Sequence, residues 1–305
     1  VEDQADRTDT VDIWSTLPPD DALDAGLHPA KGKQKSRIAF PIENIEIARL
    51  LGSGQFGCVY AASLQSTGET LAVKVIPQNR GADASIMAAN EAMNGAKLNH
   101  QNIINVYALQ PAGAFWIILM ELVTGEPLAS QSMVRENLKM TFGALSDAII
   151  HMNCEHIVHR DLKPSNIIVR RSDGSPVIVD LGMSVDISLR HPQCIGIGGT
   201  PFYMPPEAFD REITPAFDAY SLGVTAAFVV GGLRHWSGAD QTKSLIEAKK
   251  SGLFQEQLLA HLETEDPDLR GWIERLTSNE PGERLKALVA SRQWSKPKRP
   301  WWRFW

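Results

Sequence analysis

His159-Arg160-Asp161-Leu162-Lys163-Pro164-Ser165-Asn166 is the most specific run in this 305-residue chain. An aspartate in such a loop accepts or orients the proton of an attacking hydroxyl. A carboxamide five residues further on, Asn166, offers a neutral oxygen to a hard metal ion. A charged surface loop is the bland alternative, and it requires no such set.

Reading outward in both directions adds the partners that this chemistry needs. Downstream, Asp180-Leu181-Gly182 follows the apolar Val177-Ile178-Val179, which puts a carboxylate at a strand end, placed to hold Mg²⁺. Upstream, Ala72-Val73-Lys74 sits in a β-rich run, and Glu91 is the only glutamate between Glu69 and Glu121. A Lys74–Glu91 pair would hold the lysine against phosphates. Further upstream lies Gly52-Ser53-Gly54-Gln55-Phe56-Gly57-Cys58-Val59. Glycines let backbone N–H groups approach phosphate oxygens with no Cβ in the way. Dinucleotide folds and plain turns also carry this spacing. Here strands flank it, whereas a dinucleotide loop would open a helix. Glycine cradle, lysine, metal ligands and carboxylate together suit phosphoryl transfer, which depends on positioning and charge neutralisation.

In this order the motifs resemble the eukaryotic-type serine/threonine protein kinase family over residues 45–290. Further matches are Gly199-Thr200-Pro201-Phe202-Tyr203-Met204-Pro205-Pro206-Glu207, Asp218-Ala219-Tyr220-Ser221-Leu222-Gly223 and Glu280-Pro281-Gly282-Glu283-Arg284. The resemblance implies ATP and Mg²⁺ as cofactors, with Mn²⁺ as the substitute metal, and a protein substrate. It implies Asp161, Lys163, Lys74 and Glu91 as catalytic and Asn166 and Asp180 as metal ligands. It implies Leu51, Gly52, Gly54, Gly57, Val59, Ala72, Lys74, Met120, Glu121, Val123 and Ile168 around the nucleotide. Of these, Val59, Ala72 and Ile168 would sandwich the adenine ring, with core packing as the equally good alternative. Glu207 should pair with Arg284, and Asp218 should cap the catalytic loop. Lys163 and Thr200 look like the serine/threonine branch.

Several positions depart from the family pattern. Leu181 stands where the metal triplet usually has Phe, and Pro205 where Ala is usual. Gly95, one helical turn after Glu91, stands where the family has a bulky apolar residue. The expectation is a loosely held helix that needs a partner, an arm or Met93 to steady it. Ser184 and Ser188 are candidate phosphorylation sites, and Thr200 reads as structural. Cys58 would sit over the phosphates and Cys194 in the activation segment, where redox sensing competes with ordinary packed or solvent-facing thiols.

The expected fold class is α+β, a bilobal protein-kinase-like fold with a β-rich N-lobe holding one main helix and an α-rich C-lobe. Strands are expected near Ile45–Leu50, Val59–Ala62, Thr70–Ile76, Ile103–Leu109 and Phe115–Leu122. Helices are expected over Ala84–Leu98, Leu138–Met152, Pro215–Val230 and Leu269–Leu276. The domain reading is an acidic, disordered arm over 1–40, a kinase domain over 41–290 (N-lobe 41–121, C-lobe 126–290) and a basic Trp-rich tail over 291–305.

Charge is polarised along the chain. Residues 1–30 hold eight acidic side chains against Arg7, and residues 286–305 hold six bases and no acid, within a net charge of −6. No nucleic-acid partner is expected. Three cysteines without a CxxC pair argue against a disulfide scaffold or zinc site. With no apolar leader and no membrane-length apolar run, the expected location is cytoplasmic, with a peripheral membrane variant. That variant rests on Trp294–Trp305, which mixes bases with aromatics. A weak membrane contact, a clasp with the acidic arm, a partner-docking peptide and a disordered end are the four readings of this tail. For the whole chain the alternatives are a pseudokinase scaffold and a small-molecule phosphotransferase of the aminoglycoside type.

Overall fold

A computed structural model describes residues 44–54, 57–80, 82–130, 137–189, 198–231 and 241–295. The acidic arm, Cys194 and the tail beyond Ser295 lie outside the described residues. The chain divides into two compact units. The first holds the described residues up to Ser85 together with Tyr107–Leu122, and the second holds Ile86–Val106 and Val123 onward.

The first unit is built on a five-stranded sheet in the order β1-β2-β3-β5-β4. Its strands are β1 (Ile45–Gly54), β2 (Gly57–Leu64), β3 (Thr70–Pro77), β4 (Val106–Ala112) and β5 (Phe115–Glu121). The pairs β1/β2, β2/β3 and β3/β5 are antiparallel. Side chains alternate between faces along a strand, so Tyr60, Val73, Val75 and Ile117 meet in one apolar cluster on one face. Cys58 belongs to that cluster and is 4% exposed. It therefore points into the core, not over phosphates as expected. Its neighbour Tyr60 is pushed up to about 12 by burial, with Cys58 adding to the effect.

Two boundaries in this unit differ from expectation. The glycine segment does not break the first strand, because β1 runs on to Gly54 and pairs there with Gly57. The strand expected from Ile103 starts at Val106. Ile103 makes only a bridge to Ile178, and the Ile104 amide donates to the Ile178 carbonyl at 2.9 Å.

In the second unit α3 (Phe217–Val229) is mostly apolar and buried on all sides from Phe217 to Ala227, Asp218 included. Such a helix can only be central. Packed with it are α2 (Leu138–Cys154), α6 (Pro267–Leu276) and α7 (Pro281–Ser291). Asp266 caps α6 by accepting from the Asp268 and Leu269 amides, with Pro267 in the first turn. Three helices absent from the sequence reading, α4 (Gln241–Ser251), α5 (Leu253–Ala260) and α7, complete the unit. Short strands carry its loops. In one sheet β6 (Gly125–Pro127), β8 (Ile167–Arg170) and β9 (Pro176–Ile178) pair, and in the other β7 (Ile157–Val158) pairs with β10 (Val185–Asp186).

Helix α1 (Ala82–Gly95) belongs to the second unit from Ile86 onward. It ends at Gly95, short of the expected Leu98, and i→i+3 bonds tighten the exit: the Lys97 amide donates to Asn94 and the Leu98 amide to Gly95. No cavity opens at Gly95. A Cβ there would lie 2.5 Å from Val106 Cγ2 and 3.4 Å from Leu181 Cδ1. The expected gap is already filled, and Met93 is 61% exposed and fills nothing. Polar ties secure the same end of the helix. Asn94 Nδ2 donates to Ser184 Oγ at 2.9 Å, and Lys97 pairs with Asp186. Helix α1 is thus firmly held to the residues around Leu181, contrary to the expectation of a loose helix.

Trp294 is likewise part of the domain. Its ring packs edge-on to Trp272 at 5.2 Å, with Lys139 over its face, while Ser295 donates to Asp147 at 3.2 Å. Gly143 of α2 makes room, since a Cβ there would press on Trp294 and Ser295. Trp294 and Ser295, read from sequence as part of the tail region, are thus packed on the domain. No helix among the described residues is long and apolar enough to cross a membrane.

Candidate active site

The first unit gathers one set of residues by strand register. Val59 pairs with Lys74, Ala72 with Met120, and Lys74 with Ile118. Directly opposed residues of an antiparallel pair share a sheet face, so Val59, Ala72, Lys74 and Met120 line one face, opposite the Tyr60–Val73 cluster. Lys74 is 8% exposed. Gly52 pairs with Val59 and has no protein atom within 4 Å of where a Cβ would be. Nothing in the protein demands glycine there, and the space admits close approach to the backbone. Gly57 has a packing reason as well, because a Cβ would run into the Val75 carbonyl. Leu51 is exposed, and Glu121 ends β5.

In the second unit the carboxylate of Asp161 is the hub. Lys163 Nζ lies 2.8 Å from Oδ2, Thr200 Oγ1 donates to Oδ1 at 2.7 Å, and Asn166 Nδ2 donates to Oδ2 at 3.0 Å. Lys163 also donates to Thr200 at 2.8 Å. Thr200, read from sequence as structural, thus touches the central carboxylate directly. Because the Asn166 amide nitrogen is committed to Asp161, its carbonyl oxygen is the atom left to face a metal.

Fully buried Asp218 holds the backbone of this loop. Its carboxylate accepts from the His159 amide at 2.7 Å and the Arg160 amide at 3.0 Å. Burial pushes this carboxyl up, against the opposing pull of His159 and the two amide bonds. Arg160 takes φ +70, a left-handed conformation that side chains rarely adopt. His159 Nδ1 accepts from the Asp161 amide, so its Nε2 carries the hydrogen and donates to the Val179 carbonyl at 3.1 Å. The Val179 amide returns a bond to Asn166. This lattice binds the Asp161 loop to the strand end bearing Asp180.

Asp180 is also left-handed, at φ +64. Its Oδ1 and Glu91 Oε2 each lie 3.4 Å from the Cβ position of Gly182, with Met87 Cε at 3.1 Å. Glycine at 182 keeps that crowded point free of a side chain that would press on Met87 and touch both carboxylates. Glu91 is 1% exposed. Ile168 is half-buried on β8, paired with Val177. Val123 opens the second unit's main segment. One carboxylate and one carboxamide suit Mg²⁺, which binds through one or two protein oxygens plus substrate phosphates and water. Among the described residues no cluster of three or more His, Cys, Asp or Glu forms a metal cage.

The segment after Asp180 corrects one sequence reading. Ser184 is fully buried and donates to the Leu181 carbonyl, so it is a packing residue and not an exposed modification site. Ser188 is exposed, with its hydroxyl and amide on Asp186 Oδ1. Glu207 and Arg284 form the expected pair, with Nη1 to Oε1 at 2.6 Å and Nη2 to Oε2 at 3.0 Å. Sequence reasoning missed Lys249, which lies in this same region with 1% exposure. The spacing Leu245, Ala248, Lys249 puts it on the buried face of α4, a signal that the adjacent Lys250 obscures.

A two-unit α+β fold carrying this hub defines a kinase-type phosphotransferase domain. The protein kinase domain family matches residues 45–294, and the chain belongs to that family, in its eukaryotic-type serine/threonine branch. It is 30% identical over 248 residues to myosin light chain kinase 2, skeletal/cardiac muscle, of Oryctolagus cuniculus, covering 78% of this chain and 40% of that protein. It is 25% identical over 268 residues to the calcium/calmodulin-dependent protein kinase type II alpha chain of Drosophila melanogaster, covering 85% and 49%. Serine/threonine-protein kinase PAK 4 of Homo sapiens is 25% identical over 245 residues, covering 78% and 40%. The chain spans less than half the length of these relatives.

Proposed function

We propose that this chain transfers the γ-phosphate of ATP to serine or threonine hydroxyls of protein substrates. The observation that carries this reading is the Asp161 carboxylate, held at once by Lys163, Thr200 and Asn166 in a loop whose amides are anchored on Asp218. A carboxylate so oriented accepts the hydroxyl proton as the oxygen attacks phosphorus. Lys163, bonded to both Asp161 and Thr200, steadies the γ-phosphate and keeps the base in place. Lys74, with Glu91 as the partner that the family resemblance implies, would orient the α- and β-phosphates. Backbone N–H groups of the Gly52–Gly57 loop cover them, and Leu51, Val59, Ala72, Met120, Glu121, Val123 and Ile168 surround the adenine. Asn166 and Asp180 would hold Mg²⁺, which neutralises phosphate charge when bound.

The names of the relatives support the serine/threonine choice, as do Lys163 and Thr200. Labelled ATP, Mg²⁺ and a generic basic protein, with Asp161→Ala beside the native chain, test the proposal. The native protein should label the acceptor, and Asp161→Ala should lose roughly 10²–10⁴-fold in kcat. Equal labelling by both would remove Asp161 from its role, and labelling by neither would leave a non-catalytic scaffold.

A further inference from the structure

The role of Lys249 is unaccounted for by this chemistry. Its ammonium lies inside the second unit, where it donates to the carbonyls of Phe202 at 2.9 Å and Met204 at 2.8 Å and to the Tyr220 hydroxyl at 3.2 Å. It sits 4.0 Å from the Phe254 ring centroid and 4.6 Å from that of Tyr220. The charged groups around it are Arg284, 5.1 Å from the same Tyr220 ring, and Glu207, which pairs with Arg284. Burial pushes the Lys249 amine well below its ordinary range, with Arg284 adding to this and Glu207 opposing it. A solvated lysine at the end of α4 would avoid that cost, so the inward placement calls for a reason.

The reason lies in the segment it grips. The Tyr203 carbonyl, between the two that Lys249 holds, accepts from Ser221 Oγ at 2.9 Å. Three consecutive carbonyls, from 202 to 204, are thus clamped from α4 and α3. The Phe202 ring packs edge-on to Phe254 at 5.4 Å and to Tyr203 at 5.3 Å. Tyr203 in turn lies close enough to Asp161 for that charge, after burial, to help push its hydroxyl up to about 12. The same short segment begins with Thr200, which bonds to Asp161.

We propose that Lys249 is a positioning residue for the protein substrate: by clamping the Phe202 and Met204 carbonyls it holds the 200–204 segment, beside Asp161, in the shape that seats the acceptor peptide. The word substrate rests on the kinase reading; the clamp does not.

The full chain and Lys249→Met, which keeps the volume and removes the charge, test this. Anisotropy gives the Kd for a labelled basic, serine-containing peptide. Acceptor-free ATP hydrolysis gives KM for ATP, and hydrogen exchange follows the Tyr203 and Met204 amides. We expect peptide Kd to rise at least ten-fold and exchange at those amides to quicken at least ten-fold, with KM for ATP within two-fold of native. Ser221→Ala, which releases only the central carbonyl, should raise Kd about three-fold and serves if Lys249→Met does not fold. Unchanged peptide Kd overturns the proposal, as does a loss of ATP binding in parallel. A native chain that binds peptide but transfers no phosphate would refute the kinase reading alone, and the Kd comparison would still decide the clamp.

Discussion

Replacing Gly95 by alanine sets two well-understood effects against each other. Alanine is the better helix former by roughly 1 kcal/mol, so propensity alone makes Gly95→Ala stabilising. Packing says the opposite. The new methyl would lie 2.5 Å from Val106 Cγ2, 2.8 Å from Val106 Cβ and 3.4 Å from Leu181 Cδ1. Val106 is β-branched and stiff about χ1, and Leu181 is fully buried with nowhere to go. Overpacking of this kind costs about 1–3 kcal/mol, and two contacts below 3 Å place it in the upper half of that range. The net expectation is a loss of about 1–2 kcal/mol for Gly95→Ala, and more for Gly95→Leu. Urea unfolding of the full chain measures it. Val106→Ala removes the nearer clashing atom, so the double variant should recover about 1 kcal/mol relative to additivity. A raised midpoint for Gly95→Ala, with no coupling to Val106, would refute the packing argument and return Gly95 to being an unfilled gap.

Two further outcomes follow from buried charge. Arg284→Met leaves Glu207 without its bidentate partner, and breaking such a pair should cost about 3–5 kcal/mol in urea unfolding; Arg284→Met with Glu207→Gln should regain much of that, and equal losses for single and double variants would contradict it. Burial alone would raise Asp186, but hydrogen bonds from Lys97 and Ser188 outweigh it and bring the carboxyl to about 2. A depressed carboxyl stabilises the fold above its unfolded value near 3.8 and loses that stabilisation as pH falls toward the folded value. Asp186→Asn should therefore cost about 1–2 kcal/mol at pH 7, with a gap from native that is flat down to about pH 4.5 and narrows below it. A gap independent of pH down to 3 would show that Asp186 acts by shape alone.

What could be read from sequence shares a physical basis. Asp161, Asn166, Asp180 and the glycine loop are legible because the chemistry needs particular side chains at short, local spacings. The β-rich run Thr70–Ile76 and the helical spacing of Pro215–Val230 are local signals too, and the structure has β3 and α3 there. Helices α4 and α5 escaped because their periodicity is short and interrupted by polar residues at buried or half-buried positions. Asp218 as cap and Arg284 as partner of Glu207 were legible only through resemblance, since 58 and 77 residues separate the partners.

Sequence by itself determined the order of the chemical parts, the two-part α+β plan and the family. Tertiary structure alone decided how the surrounding side chains are spent. It turned Cys58 into core, buried Ser184, docked Trp294 against Trp272, brought Thr200 onto Asp161, and filled the space beside Gly95 with Val106 and Leu181. It also drew Lys249 inward onto the Phe202 and Met204 carbonyls. Each of these depends on which face of an element meets which distant neighbour, and a residue's type does not carry that information. Catalytic groups are recognisable by what they are, whereas positioning groups are recognisable only by what they touch.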